Sequence, residues 1–192
     1  MNNRCADYPV LPVFTRRWSP RAFDPRPLPQ EKLFSLFEAA RWAPSSMNIQ
    51  PWCFAYALRD DVHWDDFLST LLPGNQLWVK NASALVFIMS DTMSDYHGEP
   101  KPSRSHSFDA GAAWMSLALQ AQSMGLATHA MAGVDWDAAR NILHAPERLQ
   151  IEAAIAIGYP GNKDDLPEAL QERETPSDRR PVAESAFNGP LI

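Results

Sequence analysis

Three arginines and a serine crowd the segment Arg16-Arg17-Trp18-Ser19-Pro20-Arg21-Ala22-Phe23. In an extended chain side chains alternate, so Arg17, Ser19 and Arg21 share one side and offer two planar cations and a hydroxyl donor to a common ligand. That set suits a phosphate monoester. The same residues also suit a solvated basic arm, since charge runs are commonly surface features.

A second polar group lies in Ala43-Pro44-Ser45-Ser46-Met47-Asn48-Ile49-Gln50-Pro51-Trp52, where small donors and acceptors precede an aromatic residue. Ser45, Ser46, Asn48 and Gln50 can surround the edge of a polar heterocycle or simply end a helix. Asn75 carries both an acceptor and a donor, as an imide edge requires, yet it also suits a plain turn. Ala132-Gly133 has little side chain to obstruct a flat ring, so its backbone N–H groups can approach a ligand, or it is a tight turn before Asp135.

These groups need elements to hold them. Pro29 opens a helix that Leu33, Phe34, Phe37, Ala40 and Arg41 continue at helical spacing until Pro44 stops it. Trp52 to Leu58 and Ala84 to Met89 read as strands, too apolar for clean alternation and so buried on both faces. Between them a short helix spans Asp65 to Leu72, and Pro73-Gly74-Asn75 breaks the chain in a turn.

The stretch from Asp91 to Phe108 has no apolar period and holds His97, His106, Pro100 and Pro102, which predicts a mobile loop or lid. Asp109 to Met124 is apolar around most of its circumference and ends at Gly125, so it is expected to be a central buried helix. Leu126 to Met131 is a strand, Asp135 caps a helix from Trp136 to Leu143, and Ile151 to Tyr159 is the last core strand. Trp52, Trp114 and Trp136 fall at apolar phases and are expected to pack, whereas Trp18 and Trp42 border the polar clusters. From Gly161 onward a polar, proline-containing tail either frays or wraps a neighbour. The order of elements suits an α+β or α/β sandwich.

With 192 residues, 45% of them hydrophobic, the chain is expected to form one domain, 1–192. Its net charge of −6 repels nucleic acid and anionic lipid, so the N-terminal arginines must serve something local. Cys5 and Cys53 have no metal-ligand spacing and fit a reducing compartment. His97 and His106 lack a third ligand, so no metal is expected. Met1-Asn2-Asn3-Arg4-Cys5-Ala6-Asp7-Tyr8 has no apolar core of a signal peptide, and no window has the roughly 20 apolar residues of a membrane span, so a cytoplasmic location is expected.

Taken in order, Arg17-Trp18-Ser19-Pro20-Arg21-Ala22-Phe23, the loop Ala43 to Trp52, Asn75, Gly125-Leu126 through Ala132-Gly133, Ala156-Ile157-Gly158-Tyr159-Pro160 and Arg179-Arg180-Pro181 resemble the nitroreductase family of FMN-dependent oxidoreductases. The chain looks like a short, minimal member. The resemblance implies an α+β three-layer sandwich with a central, mostly antiparallel sheet flanked by helices. It implies a domain-embracing homodimer with FMN at the subunit interface and a C-terminal tail, about 161–192, wrapping the partner.

It further implies site residues. Arg17, Ser19 and one or both of Arg179 and Arg180 would hold the FMN phosphate. Arg21 and Asn75 would face the pyrimidine edge, and Pro44, Ser45, Ser46 and Asn48 would come from the other subunit. Ala132 and Gly133 would present backbone N–H groups to N5 and O4. No side chain need act as acid or base, since flavin N5 carries the hydride and a cation at the pyrimidine edge favours the reduced ring. Two departures are visible: Ala132 stands where larger members often carry glutamate, and the 91–108 stretch replaces a longer helical insertion.

The expected activity is transfer of reducing equivalents from NAD(P)H to a flat small-molecule acceptor such as a nitroaromatic or quinone, by ping-pong exchange. The competing readings are a flavin-binding storage or sensor module, and specialised chemistry on the same fold: dehalogenation, enoate reduction or substrate oxidation.

Overall fold

A computed structural model describes residues 4–96 and 98–191, so Met1, Asn2, Asn3, His97 and Ile192, and the readings made on them, lie outside the described residues. The helices are α1 (Pro12–Arg16), α2 (Gln30–Arg41), α3 (Trp64–Ser69), α4 (Pro73–Val79), α5 (His106–Ser123), α6 (Trp136–Ile142) and α7 (Glu168–Gln171). The strands are β1 (Phe23–Asp24), β2 (Trp52–Leu58), β3 (Ala84–Asp91), β4 (Met93–Tyr96), β5 (Glu99–Pro102), β6 (Ala127–Met131) and β7 (Leu149–Pro160). β1, β7, β3 and β2 lie side by side, β6 joins along β7, and every pairing is antiparallel.

The sheet is the middle of three layers, and β3 shows why its sequence lacks alternation. Leu85 and Phe87 enter one core with Trp64, Phe67, Leu71 and Trp78 from α3, α4 and the turn between them. Val86 and Ile88 enter the opposite core with Leu33 and Leu36 of α2 and Ala113 and Leu117 of α5. Both sides of the pleat are therefore apolar, each large side chain adding roughly 1.5–3 kcal/mol by burial. β7 divides likewise, with Ala154 and Ala156 on one side and Ile155 and Ile157 on the other.

β2 departs from expectation. It is an edge strand, and only Ala57 along it is fully buried. Its aromatics instead lie against α2, with the rings of Phe37 and Phe54 5.1 Å apart and those of Phe34 and Tyr56 5.9 Å apart.

The 91–108 stretch is not a lid without structure. It forms a β4–β5 hairpin pairing Met93 with Pro102 and Asp95 with Pro100, and α5 begins at His106, a turn earlier than its apolar period indicates. Proline is tolerated on a two-stranded ribbon because each strand has an open edge that needs no N–H donor. Asn75 also differs from a turn residue: Pro73 occupies the first turn of α4, and Asn75 is helical. Trp136 is 40% exposed and does not pack as a core group.

Other terminators behave as their residues dictate. Gly125 takes φ 71° after α5 while the Leu126 N–H returns to the Ala121 carbonyl at 2.8 Å. Asp135 caps α6 by accepting from the Ala138 N–H. The tail from Gly161 to Val182 lies against the chain's own N-terminal arm: the Gly161 N–H donates to the Ala22 carbonyl at 2.9 Å, and the Val182 N–H donates to Asp7 Oδ2 at 2.8 Å. Among the described residues no helix is long and apolar enough to cross a membrane.

Candidate functional site

After α1 the chain runs extended from Arg17, whose φ and ψ are −65° and 127°. Arg17 Nη1 donates to Ser19 Oγ at 3.3 Å, which fixes the guanidinium beside the hydroxyl and leaves the serine proton for a ligand. Arg179 approaches from the tail. Burial first, then the positive charges of Arg4 and Arg179, lower the pKa of Arg17, and Arg4 is lowered by burial and by Arg179 in the same way. Guanidinium groups gathered this closely define a site that an anion stabilises. Arg180 is exposed, and its side chain makes no hydrogen bond among the described residues.

Arg4 was not legible as a site residue. Its guanidinium donates to the Arg17 carbonyl at 2.7 Å and to the Ser177 carbonyl at 2.7 Å, tying the arm to the tail. It stands thirteen residues before Arg17, and nothing in its surroundings signals that role.

Asn75 and Gly133 form a second pair. The Gly133 carbonyl accepts from Asn75 Nδ2 at 3.0 Å and from the Leu72 N–H at 3.0 Å, so the α4 start and the turn after β6 are fixed together. Asn75 keeps its amide oxygen and one N–H for a ligand. The N–H groups of Ala132 and Gly133 have no internal acceptor among the described residues. A Cβ at Gly133 would stand 2.4 Å from Asn75 Nδ2, so this cradle needs glycine.

The loop after α2 is separately anchored. Asp109, in the first turn of α5, is 4% exposed, and its Oδ2 accepts from the Ser46 N–H at 3.1 Å and the Ser105 hydroxyl at 2.9 Å. Ser45 Oγ accepts from the Gln50 N–H at 3.0 Å. Met47, Asn48 and Gln50 all have positive φ, at 51°, 55° and 54°. Left-handed backbone at non-glycine residues concentrates where a loop is shaped for a ligand. Pro44, Ser46 and Asn48 are exposed.

α5 separates the two halves. Ser46 is tied to its first turn, whereas Gln122 in its last turn shares a cleft with Trp18, Pro20 and Leu126. Eighteen helical residues span about 27 Å, so one chain holds the arm and the loop at opposite ends of a helix. The structure thus brings Arg17, Ser19 and Arg179 together, and Asn75 with Gly133, but not Pro44, Ser45, Ser46 and Asn48 with either group.

His106 lies apart from these groups: its Nδ1 is 2.8 Å from Ser90 Oγ and 3.6 Å from Glu152 Oε1, a polar knot at the end of β3. The residues that are present suit a phosphorylated planar cofactor, with an arginine cluster for the phosphate and a side-chain-free turn for the ring.

The chain is similar to several known proteins. The sequence profile described as the nitroreductase family matches residues 14–63 and 58–159. A crystal structure of an oxidoreductase containing FMN is 49% identical, with a TM-score of 0.97 over 100% of this chain and 98% of that one. A structure from Desulfovibrio desulfuricans in complex with FMN is 26% identical, with a TM-score of 0.73 over 97% of this chain and 100% of that one. An NADH dehydrogenase of Thermus thermophilus is 27% identical across 82% of this chain and 91% of its own length.

Proposed function

The chain belongs to the nitroreductase family, and from that premise we propose that it is a homodimeric FMN-dependent oxidoreductase that carries reducing equivalents from NAD(P)H to a flat nitroaromatic or quinone acceptor. The observation that carries this reading is the gathering of Arg4, Arg17 and Arg179 on a chain of net charge −6, where burial first and then the charge of Arg179 lower the pKa of Arg4, and burial with the charges of Arg4 and Arg179 lowers that of Arg17. A local excess of cation on an acidic protein calls for a bound anion, and the FMN phosphate supplies it.

When bound, FMN supplies the ring that accepts and passes on the hydride. The chain does the rest. Arg17, Ser19 and Arg179 neutralise and orient the phosphate, with Arg180 beside them. Arg21, whose guanidinium makes no hydrogen bond among the described residues, and Asn75 face the pyrimidine edge, where the cation stabilises negative charge. Ala132 and Gly133 donate their N–H groups to the ring. Two substrates use one face in turn, so the kinetics are ping-pong.

The loop holding Pro44, Ser45, Ser46 and Asn48 completes the site of a second copy, since in its own chain α5 keeps it from the arm. Trp42, Met47 and Phe108 around that loop are 75%, 67% and 81% exposed, an apolar surface that a second subunit would cover. Beyond the contacts of 161–182 with the chain's own arm, the rest of the tail reaches that subunit.

The test is an anaerobic absorbance spectrum of the purified holoprotein before and after NADH or NADPH, followed by a quinone. Bleaching of the flavin bands and their return on quinone addition support the proposal. Persistent bands with either nucleotide would replace it by a flavin-binding storage or sensor role.

A further inference from the structure

The Pro20–Arg21 peptide unit is held at both ends by residues that the cofactor reading does not use. Its carbonyl oxygen lies 2.9 Å from Nδ1 of His129 on β6. Its N–H donates to Glu174 Oε1 at 2.7 Å, and the next N–H, of Ala22, donates to the same oxygen at 2.8 Å. A carbonyl only accepts, so His129 must present Nδ1–H to it. Burial, the largest influence, holds the His129 pKa below its usual value and keeps the ring neutral, and Arg21 and Arg17 add to that effect. The ring also lies against Trp78, at a centroid distance of 4.7 Å and tilted by 41°.

We infer that His129 and Glu174 are positioning residues for phosphate recognition, which pin the Pro20–Arg21 peptide so that Ser19 and Arg21 point at the cofactor before it arrives. The inference rests on the reading that this arm binds the FMN phosphate. Fixing one peptide plane fixes ψ of Pro20 and φ of Arg21, and with them the directions of the side chains on either side. Pro20 adds its own restriction on φ. Glu174 is 8% exposed and belongs to the tail that carries Arg179, so one carboxyl sets the arm and anchors the segment supplying the second phosphate-binding arginine. A preorganised arm binds more tightly because less ordering is left for the ligand to drive.

The experiment compares FMN with riboflavin, which has the same ring and no phosphate, in the full-length protein. Wild type is expected to prefer FMN strongly. In Glu174→Ala and His129→Ala the preference should fall about tenfold, the factor lost with one hydrogen-bond anchor of roughly 1.4 kcal/mol. The riboflavin affinity should fall by less than the FMN affinity, since Asn75, Ala132 and Gly133 hold the ring without the pinned peptide and Arg21 is the one ring contact that depends on it. Glu174→Gln should restore the preference, because Oε1 remains and Oε2 has no partner among the described residues. His129→Asn should restore it by placing an amide N–H near the Nδ1 position.

An unchanged preference in both alanine variants overturns the positioning role while leaving the phosphate reading intact. Equal binding of FMN and riboflavin by wild type overturns the phosphate reading itself. If the alanine variants do not fold, hydrogen exchange on wild-type apoprotein decides: the Arg21 and Ala22 amides should be protected before FMN is added, and free exchange of both would overturn the inference.

Discussion

The side-chain amide of Asn75 and the backbone of Gly133 are built as one unit: Nδ2 donates to the Gly133 carbonyl at 3.0 Å and occupies the space where a Cβ of residue 133 would lie, 2.4 Å away. Gly133→Ala must therefore turn the Asn75 side chain out of place. Because the obstacle is the end of a side chain, the fold should survive at a cost of about 0.5–1.5 kcal/mol for the lost hydrogen bond. FMN affinity should drop several-fold. Gly74→Ala is the control, because a Cβ there meets nothing within 4 Å. Equal FMN dissociation constants for the two variants would remove Asn75 and Gly133 from the site.

Arg17→Ala should weaken FMN binding by about 1.5–3 kcal/mol, the range for a hydrogen bond to a charged group. Arg179→Ala should act in the same direction, and Arg180→Ala less, since only Arg179 is electrostatically coupled to Arg17. Titration at rising salt gives a second reading, because each lost cation should flatten the salt dependence. If Arg17→Ala binds FMN as wild type does, the phosphate lies elsewhere.

His129 predicts an acid-side loss of stability in the apoprotein. Its pKa is lowered in the fold, by burial first and then by the neighbouring arginines, against an ordinary value of 6.5. The unfolded chain therefore binds the proton more readily than the folded one, and its contribution to stability is full above about pH 6.5. That contribution is lost as pH falls from there toward the depressed folded value. Thermal unfolding between pH 8 and 5 should show a smaller pH slope for His129→Asn than for wild type, and parallel curves would contradict the assignment.

How far the sequence reveals this protein depends on the range over which its residues act. The burial of β3, the stop at Gly125 and the cap at Asp135 follow from local composition, because strand pleat and helix ends obey near-neighbour rules. The β4–β5 hairpin does not, since an exposed ribbon with two prolines has no apolar period to reveal it. Glu174 was illegible for another reason: it meets the arm from 153 residues away, and a single glutamate in a polar tail looks like solvated charge. Asp109 could have been found, because an acidic residue at the start of a helix is a common partner for nearby N–H groups, but its link to Ser46 spans 63 residues. Nor does sequence reveal that arm and loop sit at opposite ends of α5, which is a property of the packed helix.

That separation yields the most discriminating prediction. If each site takes its arm from one subunit and its loop from the other, two defective chains should repair one another. Arg17→Ala damages the arm. Asp109→Ala damages the loop, since it frees the Ser46 N–H and the Ser105 hydroxyl from a buried acceptor, and should also destabilise the fold by about 1–3 kcal/mol. In a heterodimer of the two variants, one site combines both defects while the other combines a wild-type arm with a wild-type loop. Mixed and re-annealed subunits should then bind FMN tightly at one site per mixed dimer, although neither homodimer does. Were arm and loop to serve a site within a single chain, each site of the heterodimer would keep one defect and no tight binding would return. The recovered stoichiometry therefore separates a shared interface site from two sites confined to their own subunits, and it does so without reference to turnover or to the identity of the acceptor.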